Sequence, residues 1–287
     1  NARKAVEWLD KKSFGDKPFF ITVGIHKPHV PFIAPQKYFD LYPQQKLQFD
    51  LSPADDWDDI PPMAMVKRFG SFGFELGREN DALRREYTQA YHACVSFVDA
   101  QIGLILDKLK SQKLWNDTIV IFTSDHGYHL GEHFMWGKVT LFEECARVPL
   151  IVRVPGVSPS GKTSQGLVET IDLFPTLAEL CGLTAPAQLQ GKSYVSLIRK
   201  PGGPGKPSAY TVVSRGTQLG RSIRTQRWRY AEWGEAKAAE LYDLQRDTRE
   251  YTNLAKSPQH RNIVRQMKSR LAKRQAQAES ARNGTDK

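Results

Sequence analysis

Residues 123–138, TSDHGYHLGEHFMWGK, hold one aspartate, three histidines, one glutamate and one lysine. They follow directly on the apolar run Ile119-Val120-Ile121-Phe122. Asp125 and His126 place a carboxylate and an imidazole side by side at what reads as a strand end, which is half of a divalent-metal site. Consecutive strand residues point to opposite faces, and Gly127 permits the turn that would aim both groups the same way. Taken as a bare dipeptide, the pair is equally readable as surface polarity. Lys138 offers an ammonium on the same stretch. An ammonium about 4 Å from an anion is worth roughly 4 kcal/mol at an effective dielectric near 20. A tetrahedral oxyanion held between a cation and Lys138 would use that attraction. His129-Leu130-Gly131-Glu132-His133 has the H-x-x-E-H spacing of inverted zinc peptidases. That chemistry needs a helix that puts both imidazoles on one face, and Gly127 and Gly131 weaken a helix. His129 and His133 are therefore expected to be loop histidines beside a pocket.

A second cluster, GIHKPHVPF, contains His26 and His29. Pro28 and Pro31 fix the backbone around both rings. An imidazole with an unperturbed pKa of about 6.5 can give a proton to a leaving oxygen near neutrality. The competing reading is a pair of histidines bonded to backbone carbonyls in a rigid loop.

Both clusters follow apolar runs that read as strands. Residues 17–25 are apolar almost throughout, as a strand covered on both faces requires. Residues 117–123 and 148–156 read as the second and third strands. Between them, residues 81–110 carry apolar side chains at steps of three and four and predict a long helix. Residues 172–182 predict another, with Asp172 as N-cap, Pro175 in the first turn and Gly182 past its end. Strands alternating with helices predict an α/β fold with a mostly parallel sheet flanked by helices, whose ligands collect beyond the carboxyl ends of the strands. After the Gly/Pro-rich residues 199–207, four short β-prone segments and a basic helix predict a small antiparallel sheet with helix. The expected division is 1–200 and 208–287.

The 287 residues carry a net charge of +10, with 40% apolar and 25% charged residues, as in globular domains. No apolar stretch approaches the roughly 20 residues of a membrane span. The opening NARKAVEWLDKK is no signal peptide. A start inside a helical pattern, without Met, is expected of a processed or truncated product. The three cysteines, Cys94, Cys145 and Cys181, form no zinc or disulfide spacing. Residues 257–287 hold eight Lys/Arg against two Asp/Glu. That excess reads either as a surface for a polyanion or as a solvated helix face.

Six segments, PFFITVGIHKPHVPF, VSFVDAQIGLILDKL, TIVIFTSDHGYHLGEHFMWGK, VPLIVRVPG, TIDLFPTLAELCGL and ELYDLQRDTREYTNLA, together resemble the type I sulfatases, and among them the iduronate-2-sulfatase-like branch. The resemblance covers nearly the whole chain. It implies a partial alkaline-phosphatase-like architecture, and sulfuric ester hydrolysis on a sulfated sugar or glycan. It further implies Asp125 and His126 as ligands of Ca2+, Lys138 as a sulfate-binding and catalytic residue, His29 as proton donor, and His26 as a neighbour shaping the substrate pocket. Calcium sits awkwardly with an imidazole ligand, since it prefers oxygen; on ligand softness alone zinc or manganese would be named.

The resemblance also implies a formylglycine nucleophile made within a C/S-x-P-x-R motif. None of the three cysteines stands in one: Val-Ser-Phe follows Cys94, Ala-Arg-Val follows Cys145 and Gly-Leu-Thr follows Cys181. The family's early aspartate pair and K-x-H segment are also missing. The chain is thus expected to correspond to the C-terminal portion of a sulfatase, to need the N-terminal segment as its partner, and to be inactive alone. No nucleic-acid partner is expected, and the resemblance leaves the compartment open, its members being often periplasmic, secreted or lysosomal. Two alternatives stand beside this reading: a zinc phosphodiesterase or phosphonate hydrolase of the same superfamily, and a non-catalytic anion-binding relic.

Overall fold

The computed structural model describes residues 1–12, 14–48, 52–66, 80–234 and 238–283. Two compact units emerge, one of Asn1–Asp50 with Glu75–Ile119, the other of Leu51–Phe74 with Val120–Lys287.

In the first unit, α1 (Ala2–Asp10) buries Ala2, Ala5 and Leu9 and packs on the long helix, as does the short α2 (Gln36–Phe39). That long helix, α3 (Asp81–Ser111), matches the predicted periodicity. Asn80 starts it by accepting a hydrogen bond from the Leu83 backbone N–H at 3.0 Å. Lys108 and Lys110 in its last turn face the negative end of the helix dipole. Lys108 also reaches Asp10 at 2.9 Å, which ties α3 to α1. Residues 17–25 depart from expectation. They form no regular element and belong to no ladder among the described residues, although their side chains alternate between half-buried and exposed. Phe20 is 77% exposed, so the segment has a strand's alternation without a sheet's cover.

The second unit begins its regular structure with β1 (Val120–Thr123), β2 (His129–Leu130), β3 (Trp136–Gly137), α4 (Glu143–Ala146) and β4 (Leu150–Arg153). β1 and β4 pair antiparallel, from Val120 with Arg153 to Thr123 with Leu150. The mostly parallel order expected of the strands does not extend to this pair. The chain joining them folds back through loops and a two-rung ladder, and no long helix carries it across to a parallel neighbour. Neither face of the pair is fully covered: Phe122 and its partner Ile151 on one side and Leu150 on the other are among the exposed apolar side chains. Next come α5 (Leu173–Leu180) and α6 (Val195–Arg199). Asp172 precedes α5 as expected, but its carboxylate does not cap that helix. It accepts instead from the backbone N–H groups of Glu169 and Lys192 and from the Lys206 ammonium.

The predicted C-terminal sheet is an antiparallel meander of β5 (Ala209–Arg215), β6 (Gln218–Arg224), β7 (Trp228–Trp233) and β8 (Ala238–Asp243), in that order. Gly216, at φ 59°, supplies the left-handed residue of the two-residue turn between β5 and β6. Alternation along the strands gives the sheet two buried faces. Ala231, Trp233 and Tyr242 pack with Ile60, Met135 and Phe142. Ile223, Tyr230 and Leu241 point the other way, onto Met267 and Leu271 of α7 (Arg261–Asn283). Burying Met267 and Leu271 contributes about 2 kcal/mol each, which anchors a helix otherwise rich in charge.

Candidate functional site

Lys138 and His126, twelve positions apart in sequence, touch. Pairing of β2 with β3 sets His129 opposite Gly137 and Leu130 opposite Trp136, and this short return carries the lysine back beside the start of the loop. Lys138 Nζ lies 3.1 Å from His126 Nε2. His126 Nδ1 lies 2.8 Å from the Gly127 carbonyl oxygen, which only accepts, so the proton sits on Nδ1 and the Nε2 lone pair faces the ammonium. A carbonyl holding Nδ1–H while Nε2 is presented is the arrangement that metal-binding histidines use. Asp125 is next to it, with Oδ2 3.5 Å from His126 Nε2 and 84% of its side chain exposed. Although partial burial works to raise its pKa, the attraction of the neighbouring imidazole whenever that ring is protonated, and hydrogen bonds from backbone N–H groups and Ser124, hold the Asp125 carboxyl below its ordinary value. The sequence reading thus grouped Asp125, His126 and Lys138 as the structure does.

Gly127 has a different reason to be glycine from the one expected. Its φ is not in the left-handed region; the backbone of α4 lies against it instead. A Cβ there would stand 1.9 Å from the Glu144 carbonyl oxygen, and the Gly127 N–H donates to the Cys145 carbonyl at 2.9 Å.

The loop is braced from beneath by the two histidines expected at a pocket. Both are wholly buried. His133 Nδ1 lies 3.0 Å from Asp56, its N–H donates to Ser52 Oγ at 2.8 Å, and Trp57 Nε1–H donates to its carbonyl. Burial works to lower the His133 pKa, but the Asp56 hydrogen bond and charge, with Glu144 and Glu250, raise it. His129 is held by Thr140 Oγ at 2.8 Å. Burial first, then the His133 charge, pushes its pKa down to about 3, so it is neutral. His133 has φ 56° inside the H-x-x-E-H stretch, which breaks the helix that a peptidase site would need.

Two further clamps hold the exit of the loop. Val139, directly after Lys138, has φ 73°, a strained conformation for a β-branched residue. The Arg215 guanidinium donates to its carbonyl at 2.6 Å and also to the carbonyls of Ala64 and Met65. Beyond it, the buried Arg229 guanidinium packs against the rings of Phe142 and Tyr242, 4.7 Å from each centroid. It pairs with Glu250 and lies 3.7 Å from Glu240, and Glu250 in turn accepts from the Glu143 N–H at 2.8 Å. Asp56, Arg215, Arg229 and Glu250 were not legible as site residues. Each acts across a long sequence separation, and nothing local to it signals a partner.

In the first unit, His26 and His29 come together, with ring centroids 4.6 Å apart. His29 Nδ1 lies 2.7 Å from the Val30 carbonyl oxygen, which leaves Nε2 for proton exchange. The His29 N–H donates to the His26 carbonyl at 3.0 Å, and Lys27 Nζ donates to the carbonyls of His29 and Pro31. The peptide bonds preceding Pro28 and Pro31 are both cis. Both imidazoles are exposed.

As a cation site, Asp125 and His126 form one edge only. Among the described residues no group of three or more His, Cys, Asp or Glu side chains could hold a metal ion. One carboxylate and one imidazole fall well short of the six to eight oxygens that Ca2+ takes.

A family profile described as Sulfatase matches residues 1–183, and a second, N-sulphoglucosamine sulphohydrolase, C-terminal, matches residues 131–277. A sulfatase of Formosa agariphila is 33% identical over 285 residues, spanning 98% of this chain and 55% of that protein. Human iduronate 2-sulfatase is 31% identical over 303 residues, spanning 81% of this chain and 55% of its own length. The crystal structure of the phosphonate monoester hydrolase of Agrobacterium radiobacter superposes with a TM-score of 0.82 at 25% identity, over 95% of this chain and 60% of that one. The architecture is alkaline-phosphatase-like, as expected. The chain spans about half the length of these curated relatives.

Proposed function

Because this chain belongs to the sulfatase family, we propose that it supplies the sulfate-gripping and leaving-group residues of a sulfuric ester hydrolase acting on sulfated sugars. The observation that carries the proposal is the 3.1 Å contact between Lys138 and His126 on an open loop. An ammonium and a metal-type imidazole presented together suit an oxyanion. In this reading Lys138 binds a sulfate oxygen and offsets the charge that builds on it in the transition state. His29 gives a proton from Nε2 to the departing sugar oxygen, while the Val30 carbonyl keeps its ring oriented. His26 stacks against it and shapes the pocket.

Asp125 and His126 would contribute one edge of a Ca2+ site, and the bound cation would neutralise sulfate charge. The other ligands and the formylglycine nucleophile would come from the stretch of the relatives that this chain does not span. Exposed apolar side chains support further polypeptide against each unit: Phe122, Leu150 and Ile151 of β1 and β4 in one, Phe20 in the other. No turnover is expected from the 287 residues alone.

The test is a paired assay of the intact gene product on the sulfate and phosphate monoesters of one phenol. Faster sulfate cleavage is expected. Faster phosphate cleavage would transfer the assignment to the phosphonate hydrolase branch.

A further inference from the structure

The two faces of the C-terminal meander do different work. Phe142 and the histidine-loop core lie on one face, and α7 covers the other. The outward side of α7 is therefore separated from Lys138 by the full thickness of the sheet and the helix. From Arg261 to Ala278 this helix carries six cations, Arg261, Arg265, Lys268, Arg270, Lys273 and Arg274, and no acidic residue.

Two of the six are engaged. Arg274 donates to Glu169 at 3.2 Å and lies over the Tyr210 ring, and Lys268 is 3.8 Å from Glu232. Arg261, Arg265, Arg270 and Lys273 are exposed and make no ion pair among the described residues. Arg261 and Arg265, and Arg270 and Arg274, stand four apart, where like charges cost a helix a few tenths of a kcal/mol each. The buried Met267 and Leu271 outweigh that cost, so the charges are carried without contributing to the fold.

We propose that this face of α7 is a binding surface for a sulfated polysaccharide, which holds the polymer apart from the site where a sulfate ester would be cleaved. The exposed cations span about 18 Å of helix axis at 1.5 Å per residue and about half of its circumference at 3.6 residues per turn, so several sulfate groups of one polymer would meet them as it passes over the helix. Arginine, three of the four, matches oxyanions with paired N–H donors. The choice among polyanions follows from what the face lacks. Its exposed neutral residues, including Asn262, Gln266, Ser269 and Ala272, offer no aromatic ring on which a base could stack. The large apolar side chains of α7 are taken up by the sheet and cannot enter a lipid layer. The choice of a sulfated polymer, rather than another anion, rests on the sulfatase reading above.

The test titrates the 287-residue chain with heparin over a series of salt concentrations. A variant carrying Arg261→Ala, Arg265→Ala, Arg270→Ala and Lys273→Ala is compared, with far-UV circular dichroism confirming that the helix is kept. The variant should bind at least about tenfold more weakly at low salt. Its log K against log salt should be shallower by about three, since each lost contact removes about 0.7 to 0.9 of slope. Chemically desulfated heparin should not bind. Unchanged affinity in the variant would overturn the surface. Equal affinity for duplex DNA, or for anionic vesicles, at matched charge would overturn the assignment to a sulfated polysaccharide. Ester hydrolysis does not enter this titration: heparin binding without hydrolysis leaves the surface standing, and hydrolysis without heparin binding removes the surface alone.

Discussion

Replacing His129 with glutamine should change how the protein responds to acid, in a direction and amount set by its buried surroundings. His129 is wholly buried, and its pKa falls from 6.5 to about 3 on folding. A base with a depressed folded pKa gives stability that is complete above the unfolded value and lost as pH falls through the window below it. Near pH 4.5, two units below the unfolded value, the loss is about 3 kcal/mol at about 1.4 kcal/mol per unit. Glu250 works the other way. Burial lifts its pKa from 4.5 to about 7 against the pull of Arg229, so its contribution is full at low pH and is lost as pH rises through about 7. Between neutrality and about pH 4.5 the two nearly cancel in the wild type. Glutamine cannot take up a proton, so of these two responses the variant keeps only that of Glu250. Urea unfolding followed by tryptophan fluorescence should show the variant gaining about 3 kcal/mol on the wild type between about pH 7.5 and about pH 4.5. A gap between the two proteins that stays constant within about 1 kcal/mol across that range would refute the account of His129 as a buried neutral base.

Substituting Gly127 with alanine should lower stability by about 3 kcal/mol or more, because the added methyl meets the Glu144 carbonyl at 1.9 Å; an unchanged melting temperature would show that the loop can shift at no cost. In the intact gene product, Lys138→Ala should raise KM for a sulfate ester and lower kcat, and equal kinetics would remove Lys138 from the site. His29→Ala should slow esters of poorly leaving alcohols far more than aryl esters, and a uniform loss across alcohols would argue against proton donation.

The sequence was most informative where chemistry and periodicity were local. The steps of three and four through residues 81–110 marked α3, and the turn residues between four β-prone segments marked the meander. Asp125, His126 and Lys138 were grouped from sixteen consecutive residues, and the geometry joins them. Failures came where structure depends on distant partners. Residues 17–25 have a buried strand's composition, yet no neighbouring strand among the described residues pairs with them. The antiparallel return of β4 onto β1 was invisible because an apolar run reads alike in either direction. His133 read as a loop histidine beside a pocket because its partner, Asp56, lies in an acidic turn 77 residues earlier.

The guanidinium of Arg229, packed against Phe142 and Tyr242 and joined through Glu250 to the backbone of Glu143, bears on how such chains can be recombined. A hybrid that took its last eighty residues from a relative would bring a new meander to an old loop. Arg229, Glu240 and Glu250 would travel together, but unless the segment around Phe142 and Glu143 came too, the buried pair would lose the ring beside its guanidinium and the N–H that satisfies Glu250. The unit of exchange in this fold is thus set by who covers and satisfies a buried ion pair, and it crosses the Gly/Pro-rich linker at which a cut would look natural.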